Sequence, residues 1–150
     1  MCCKGHACAI CHILTCRNNI TGVIQFDMNG LKYINDNFGH AEGDKALAYI
    51  ANLVTICSKR NMYAYRLGGD ENLILCVNGT EKDLIDTISK FKDRLKQSGY
   101  YCSYGYSHRN DNKQMSLDAL IKEAERKMYE DKERFYKNSP FERRKAEQGK

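Results

Sequence analysis

Between residues 62 and 77 two short runs of strand-forming residues, Met62-Tyr-Ala-Tyr-Arg-Leu67 and Leu73-Ile-Leu-Cys-Val77, flank Gly68-Gly69-Asp70-Glu71. β-Branched and aromatic side chains suit a pleated surface, and a glycine pair supplies the backbone freedom of a tight reversal, so this stretch reads as a β-hairpin. Upstream, Thr21-Gly-Val-Ile-Gln-Phe26 reads as a buried strand ending at Asp27, and Asn29-Gly30 breaks it. Residues 31–38 allow a turn or two of helix with Leu31 and Ile34 inward, closed by Gly39. Residues 43–58 place Ala46, Ile50, Leu53, Val54 and Cys57 on one helical face. Downstream, Thr80 with Asp83 resembles a capping box opening a helix whose apolar face is Leu84, Ile88, Phe91 and Leu95. Gly99 stops that helix, residues 100–106 return as a strand, and Ser116 caps a last helix with Leu117, Leu120, Ile121, Ala124 and Met128 inward, fading near Tyr136.

The order β–α–α–β–β–α–β–α contains the βαββαβ core of an α+β, ferredoxin-like antiparallel sheet with helices packed on it. In that topology the first and third strands are central antiparallel neighbours. Asp27 is then expected beside the turn that carries Asp70 and Glu71, with three carboxylates converging at one sheet edge.

Composition limits the alternatives. The chain has 150 residues, a single-domain length, and a formal charge of +5 from 24 Lys and Arg against 19 Asp and Glu. That mild excess suits a phosphate-bearing ligand, but the basic residues are dispersed up to Arg143–Lys145, so no DNA or RNA partner is expected. No apolar stretch approaches the roughly 18–20 residues of a membrane span. Five of the eight cysteines lie in the first sixteen residues, while Cys57, Cys76 and Cys102 stand singly among apolar neighbours as small buried hydrophobes, a usage that fits a reducing cytoplasm. Cys8-x-x-Cys11 with His6 and His12 carries zinc-ligand residue types, but no second pair follows at finger spacing. Residues 1–19 therefore read as a cysteine-rich leader, 20–137 as the domain and 138–150 as a charged tail.

Crowded carboxylates repel unless a cation or a function holds them. Oxygen-only ligands favour Mg²⁺ or Mn²⁺ over zinc, and magnesium is commonly completed by substrate phosphates, which points to nucleotide chemistry. Gly68 and Gly69 would let a ligand approach the backbone and permit positive φ at the turn. As a plain alternative, the Gly-Gly-Asp-Glu segment is a polar hairpin tip. A second group, Lys32, Asn35, Asp36, His40 and Asp44, lies within eighteen residues of Asp27. An amide with a carboxylate suits the Watson–Crick edge of guanine, and lysine offers a mobile charge for phosphate. Each also has an ordinary reading: Asn35 and Asp36 as helix-end residues, His40 as a loop histidine, Asp44 as an N-cap.

Asp27-Met-Asn-Gly-Leu-Lys32, Ile34-Asn-Asp36, Gly39-His40, Gly43-Asp44 and Arg66-Leu-Gly-Gly-Asp-Glu71 together resemble the GGDEF domain of diguanylate cyclases. The likeness extends through Ser103-Tyr-Gly105, Ala124-Glu125, Met128-Tyr129 and Lys132, in order and spacing over residues 21–136. It implies a palm-type cyclase fold that joins two GTP molecules into cyclic di-GMP with release of two pyrophosphates. By the resemblance, Asp27, the Met28 carbonyl, Asp70 and Glu71 would hold Mg²⁺ or Mn²⁺, and Glu71 would activate the 3′-hydroxyl. Lys32 would steady developing phosphate charge. Asn35, His40, Asp44, Gly68 and Gly69 would receive GTP, and Lys132 would reach its terminal phosphates. A homodimer would be needed, since each chain holds one GTP.

The match departs in places. Asn72 stands where the family has a packing Phe, and Phe135-Tyr136 stand where it has Gly-Arg, removing a phosphate-binding guanidinium. The RxxD product-inhibition motif would fall at Lys59–Met62 and is absent. No room remains before Thr21 for the family's first helix, which predicts one sheet face partly uncovered. An alternative reading is therefore a catalytically degenerate module that binds GTP or acts as a regulatory interaction domain.

Overall fold

Apolar alternation along the chain resolves into eight elements: β1 (Ile20–Asn29), α1 (Leu31–Phe38), α2 (His40–Cys57), β2 (Met62–Gly68), β3 (Glu71–Val77), α3 (Glu81–Leu95), β4 (Tyr101–His108) and α4 (Leu117–Asn138). The computed structural model of the protein describes residues 19–110 and 115–139. The leader cysteines and histidines and the basic tail lie outside these residues. The sheet order is β2-β3-β1-β4 with every neighbouring pair antiparallel, so β1 and β3 are the central strands, as the topology predicts.

Strand period divides the side chains between two cores. Ile24, Phe26, Met28, Ile74 and Cys76 face α2 and α3, where they pack with Ile50, Val54, Leu84 and Phe91. The Phe26 and Phe91 rings lie 4.6 Å apart. Ile20, Val23, Leu73 and Leu75 face the other way and pack with Leu117, Leu120 and Ala124 of α4. The predicted partly uncovered face holds at the sheet edge: Leu73 and Leu75 of β3 are 3% and 1% exposed and pack with α4 residues, whereas on β2 Tyr63, paired with Leu75, is 37% exposed and Leu67 50%.

Several boundaries also differ from expectation. β1 continues past Asp27 to Asn29 because β4 pairs with it as far as Asn29↔Tyr101, which places Asp27 inside the sheet. α2 begins at His40 because Gly39 ends α1 and at once serves as the α2 N-cap. Asp44 is therefore a residue within α2, and its reading as an N-cap is overturned. β2 and β3 also run further into the hairpin, to Gly68 and from Glu71. Cys57 and Cys76 are buried as expected, whereas Cys102 is half-buried; burial raises all three thiols, Cys76 to about 11. No described helix is long and apolar enough to cross a membrane.

The predicted capping box of α3 is complete. The Thr80 hydroxyl accepts from the Asp83 N–H at 3.2 Å, and the Asp83 carboxylate accepts from the Thr80 N–H at 2.8 Å. The Lys59 ammonium, 2.7 Å away, together with the Thr80 bonds holds the Asp83 carboxyl well below the usual carboxylate range. A depressed folded-state value means this contribution is present above the ordinary carboxylate range and is lost as strong acid protonates Asp83. Thr80→Ala is expected to lower stability by about 1 kcal/mol in urea denaturation at neutral pH. A midpoint equal to wild type would contradict the cap's role.

Candidate functional site

The β1–β3 register pairs Asp27 directly with Glu71. Opposed residues of an antiparallel pair project to the same face, so both lie on the α4 side of the sheet. The Met28 N–H donates to the Asp70 carbonyl at 3.2 Å, which ties the hairpin turn to β1. The three acidic residues are thus brought to one sheet edge, as expected. Their side chains do not complete the expected cradle: no three Asp, Glu, His or Cys side chains among the described residues are grouped so as to hold a metal ion. On α4, the Lys132 ammonium stands 2.7 Å from Asp27 Oδ2 and supplies a positive charge there.

Asp27 is 3% exposed, and its second oxygen, Oδ1, is buried with no hydrogen-bond partner. Burial raises the Asp27 carboxyl above its ordinary value, and the negative fields of Asp70 and Glu71 add to this against the opposing Lys132 bond and charge. Burial disfavours the Lys132 ammonium, but its bond to Asp27 and the nearby acidic charges outweigh that and raise it. The donor chemistry, a buried and unpartnered Asp27 oxygen with the Asp70 and Glu71 carboxylates near enough to act on its charge, is of the hard-oxygen kind that Mg²⁺ or Mn²⁺ takes, although the three side chains are not gathered into a formed site. Gln25 Oε1 and Asn29 Oδ1 are buried without partners too, although Asn29 Nδ2 donates to Ser103 Oγ at 2.8 Å. These polar residues flank Asp27 at period two. Sequence reasoning passed over them, and that spacing is the signal that could have found them.

The second group stands on α1 and α2. Gly43 is buried where the helices meet, and a Cβ there would overlap Asn35 Oδ1 and approach Asn35 Cγ to 2.9 Å. The amide of Asn35 is thereby seated beside the residue preceding Asp44, whose carboxylate is exposed on α2. His40 opens α2 and Lys32 stands on α1, both exposed. Two cavities lie beside α1 and beside α4, neither of them lined by Asn35 or Asp44. One of about 340 Å³ borders Asn29, Gly30, Tyr33 and Phe38, and one of about 510 Å³ lies between β4 and the end of α4. Asn35 is half-buried and Asp44 exposed. Gly43→Ala would push Asn35 aside at the flexible end of its side chain. If Asn35 reads guanine, as the resemblance implies, affinity for a guanine nucleotide is expected to fall about tenfold, at a stability cost of less than about 1 kcal/mol. Calorimetric titration beside thermal denaturation would check this, and unchanged affinity would remove Asn35 from the slot.

Of the two turn glycines, Gly69 takes φ +49°, while Gly68 is strand backbone and not in the left-handed region. Arg66 donates to the Gly69 carbonyl from Nε at 3.0 Å and from its terminal nitrogen at 2.7 Å. Asn72 is 3% exposed on the α2–α3 side, paired in register with Phe26. Lys59, where the absent RxxD motif would begin, is committed to Asp83 and Asp86 of α3 at 2.7 and 3.4 Å. Tyr136, in place of the expected arginine, accepts a hydrogen bond from the Gly30 N–H at 3.1 Å. Neither that contact nor the Lys132–Asp27 pair was foreseen.

A family model described as "Diguanylate cyclase, GGDEF domain" matches residues 11–138. The chain is 36% identical over 84 residues to the probable diguanylate cyclase DgcJ of Escherichia coli, covering 56% of this chain and 17% of that protein. It is 30% identical over 124 residues to the cyclic di-GMP phosphodiesterase PdeR of the same organism, covering 77% and 19%. The chain thus spans about a fifth of the length of these two relatives. Among solved structures it is similar in fold to the active GGEEF domain of a Vibrio cholerae diguanylate cyclase, with TM-score 0.68, 21% identity and 84% of each chain covered. It is likewise similar to the GGDEF domain of DgcB from Caulobacter crescentus in complex with c-di-GMP, with TM-score 0.69, 19% identity and 85% and 78% covered.

Proposed function

Because the chain belongs to the GGDEF domain family, we propose that it is a diguanylate cyclase that condenses two GTP into cyclic di-GMP and two pyrophosphates. The observation that carries this reading is the buried Asp27 carboxylate, opposite Glu71 in the β1–β3 register, with one oxygen unpartnered. Asp27, the Met28 carbonyl, Asp70 and Glu71 would hold a divalent cation, which when bound neutralises phosphate charge.

Asn35 and Asp44 would read the guanine edge from α1 and α2, with His40 beside them. Lys32 and Lys132 would steady the phosphates, and Gly68 and Gly69 would keep the turn open to the nucleotide. Glu71 would take the proton of a 3′-hydroxyl as that oxygen attacks the α-phosphorus of the other GTP and the bond to pyrophosphate breaks. In-line transfer of this kind needs positioning and charge neutralisation more than covalent help from the protein. One chain presents one such half-site, so two copies would meet face to face. The proposed setting is cytoplasmic, where GTP is available.

A second reading, a module that binds GTP without turnover, is favoured by two observations. Tyr136 occupies the Gly30 N–H where the family places a guanidinium nearby, and Asn72 is buried in a packing position. The test is incubation of the pure protein with GTP and Mg²⁺ or Mn²⁺, followed by chromatography for cyclic di-GMP. Product supports the cyclase. Thermal stabilisation by GTP without product supports the binding module and overturns the cyclase.

A further inference from the structure

Lys132 and Tyr136 are four residues apart on α4 and therefore share a helix face. From that face both reach the β1–α1 turn: Lys132 Nζ to Asp27 Oδ2 at 2.7 Å, and the Tyr136 hydroxyl to the Gly30 N–H at 3.1 Å. Gly30 is the N-cap of α1, and no side chain of its own caps that helix. Its N–H belongs to the positive end of the helix, the kind of donor that phosphate oxygens accept from. The two groups held by α4 are thus an anion that a cation would take and a donor that a phosphate would take. Beside them lies Asp27 Oδ1, buried and unpartnered.

We propose that Lys132 and Tyr136 form a clasp that keeps this site closed without ligand, and that a divalent cation and a nucleoside triphosphate open it together by exchanging partners with it. The inference rests on the reading of the site as one for a cation and a triphosphate. In the structure Lys132 is the counter-ion of Asp27. Once a cation takes that role, the released ammonium stands beside the turn, free to meet phosphate. The phosphate oxygens in turn replace the Tyr136 hydroxyl at Gly30. The cation frees the ammonium that phosphate meets, and phosphate, by drawing that ammonium away, leaves Asp27 to the cation, so binding of the two is cooperative.

Lys132 and Tyr136 are positioning residues in this scheme, and the clasp predicts effects of opposite sign that a purely structural role would not produce. Without nucleotide, Lys132→Met is expected to bind Mn²⁺ roughly tenfold more tightly than wild type, because Asp27 loses its internal partner. With Mn²⁺ present, the same variant is expected to bind the α,β-methylene analogue of GTP roughly tenfold more weakly. Tyr136→Phe is expected to bind the analogue about threefold more tightly with unchanged affinity for Mn²⁺ alone.

Electron paramagnetic resonance of free Mn²⁺ and calorimetry of the analogue read these quantities, with thermal denaturation as a check on folding. Should Lys132→Met not fold, Lys132→Gln is read in its place. Mn²⁺ affinity that falls or stays level in the Lys132 variant, or analogue affinity that falls or stays level in Tyr136→Phe, overturns the clasp while leaving the site reading intact. Wild-type protein that binds neither probe overturns both.

Discussion

Gly105→Ala is expected to destabilise the protein by about 3 kcal/mol or more, or to prevent folding altogether. A Cβ at this position would fall within van der Waals contact of the Ala124 carbonyl oxygen and the Met128 nitrogen, and 2.9 Å from the Lys127 carbonyl carbon. All three are main-chain atoms of α4, so no side chain can rotate away. Relief requires lifting the helix from β4. That would loosen the core in which Leu117, Leu120 and Ala124 cover Val23, Leu73 and Leu75. It would also break the bond from Ser107 Oγ to the Leu120 carbonyl at 2.6 Å. Urea denaturation gives the measurement. An alanine variant within about 0.5 kcal/mol of wild type would mean that α4 does not lie on β4 at this distance. Because Lys132 and Tyr136 ride on the same helix, any folded Gly105→Ala protein should also lose their contacts with Asp27 and Gly30.

The second large effect concerns chemistry. Under the cyclase reading, Glu71→Gln is expected to lower cyclic di-GMP formation by about 10³-fold or more, since it removes a proton acceptor and a cation ligand at once. The substitution keeps the side-chain shape. Glu71 is half-buried at the start of β3 opposite Asp27, so stability should change by less than about 0.5 kcal/mol. Removing one adjacent negative charge relieves Asp27, whose carboxyl is raised chiefly by burial and further by Asp70 and Glu71. Quantified product beside a thermal melt separates the two effects. Turnover at the wild-type rate would strip Glu71 of its role. A loss of product that tracks unfolding would make it structural.

Much of the domain is readable along the chain. The hairpin runs around Gly68-Gly69, the capping box at Thr80 and Asp83, and the apolar faces of α2, α3 and α4 are patterns of near neighbours, and local periodicity is enough to find them. Element ends were less legible. β1 extends past Asp27 to Asn29, two polar residues that read as a strand end, because pairing with β4 stabilises extended backbone irrespective of side chain. The start of α2 was set by Gly39 acting for both helices, which no single-helix pattern contains. At the site, the residue types and their gathering at one edge followed from strand order. Where each charge is satisfied did not.

What the amino-acid order determined alone was the succession of elements, the central place of β1 and β3, and the three acidic residues brought to their shared end. Short-range periodicity and the rules of strand connection suffice for these. The folded protein alone decided that Asp27 lies buried in the sheet, that its counter-ion is a lysine 105 residues further on, and that a tyrosine holds the head of α1. Those contacts depend on how close α4 settles on β4, a distance set by packing against Gly105, and no local pattern encodes it.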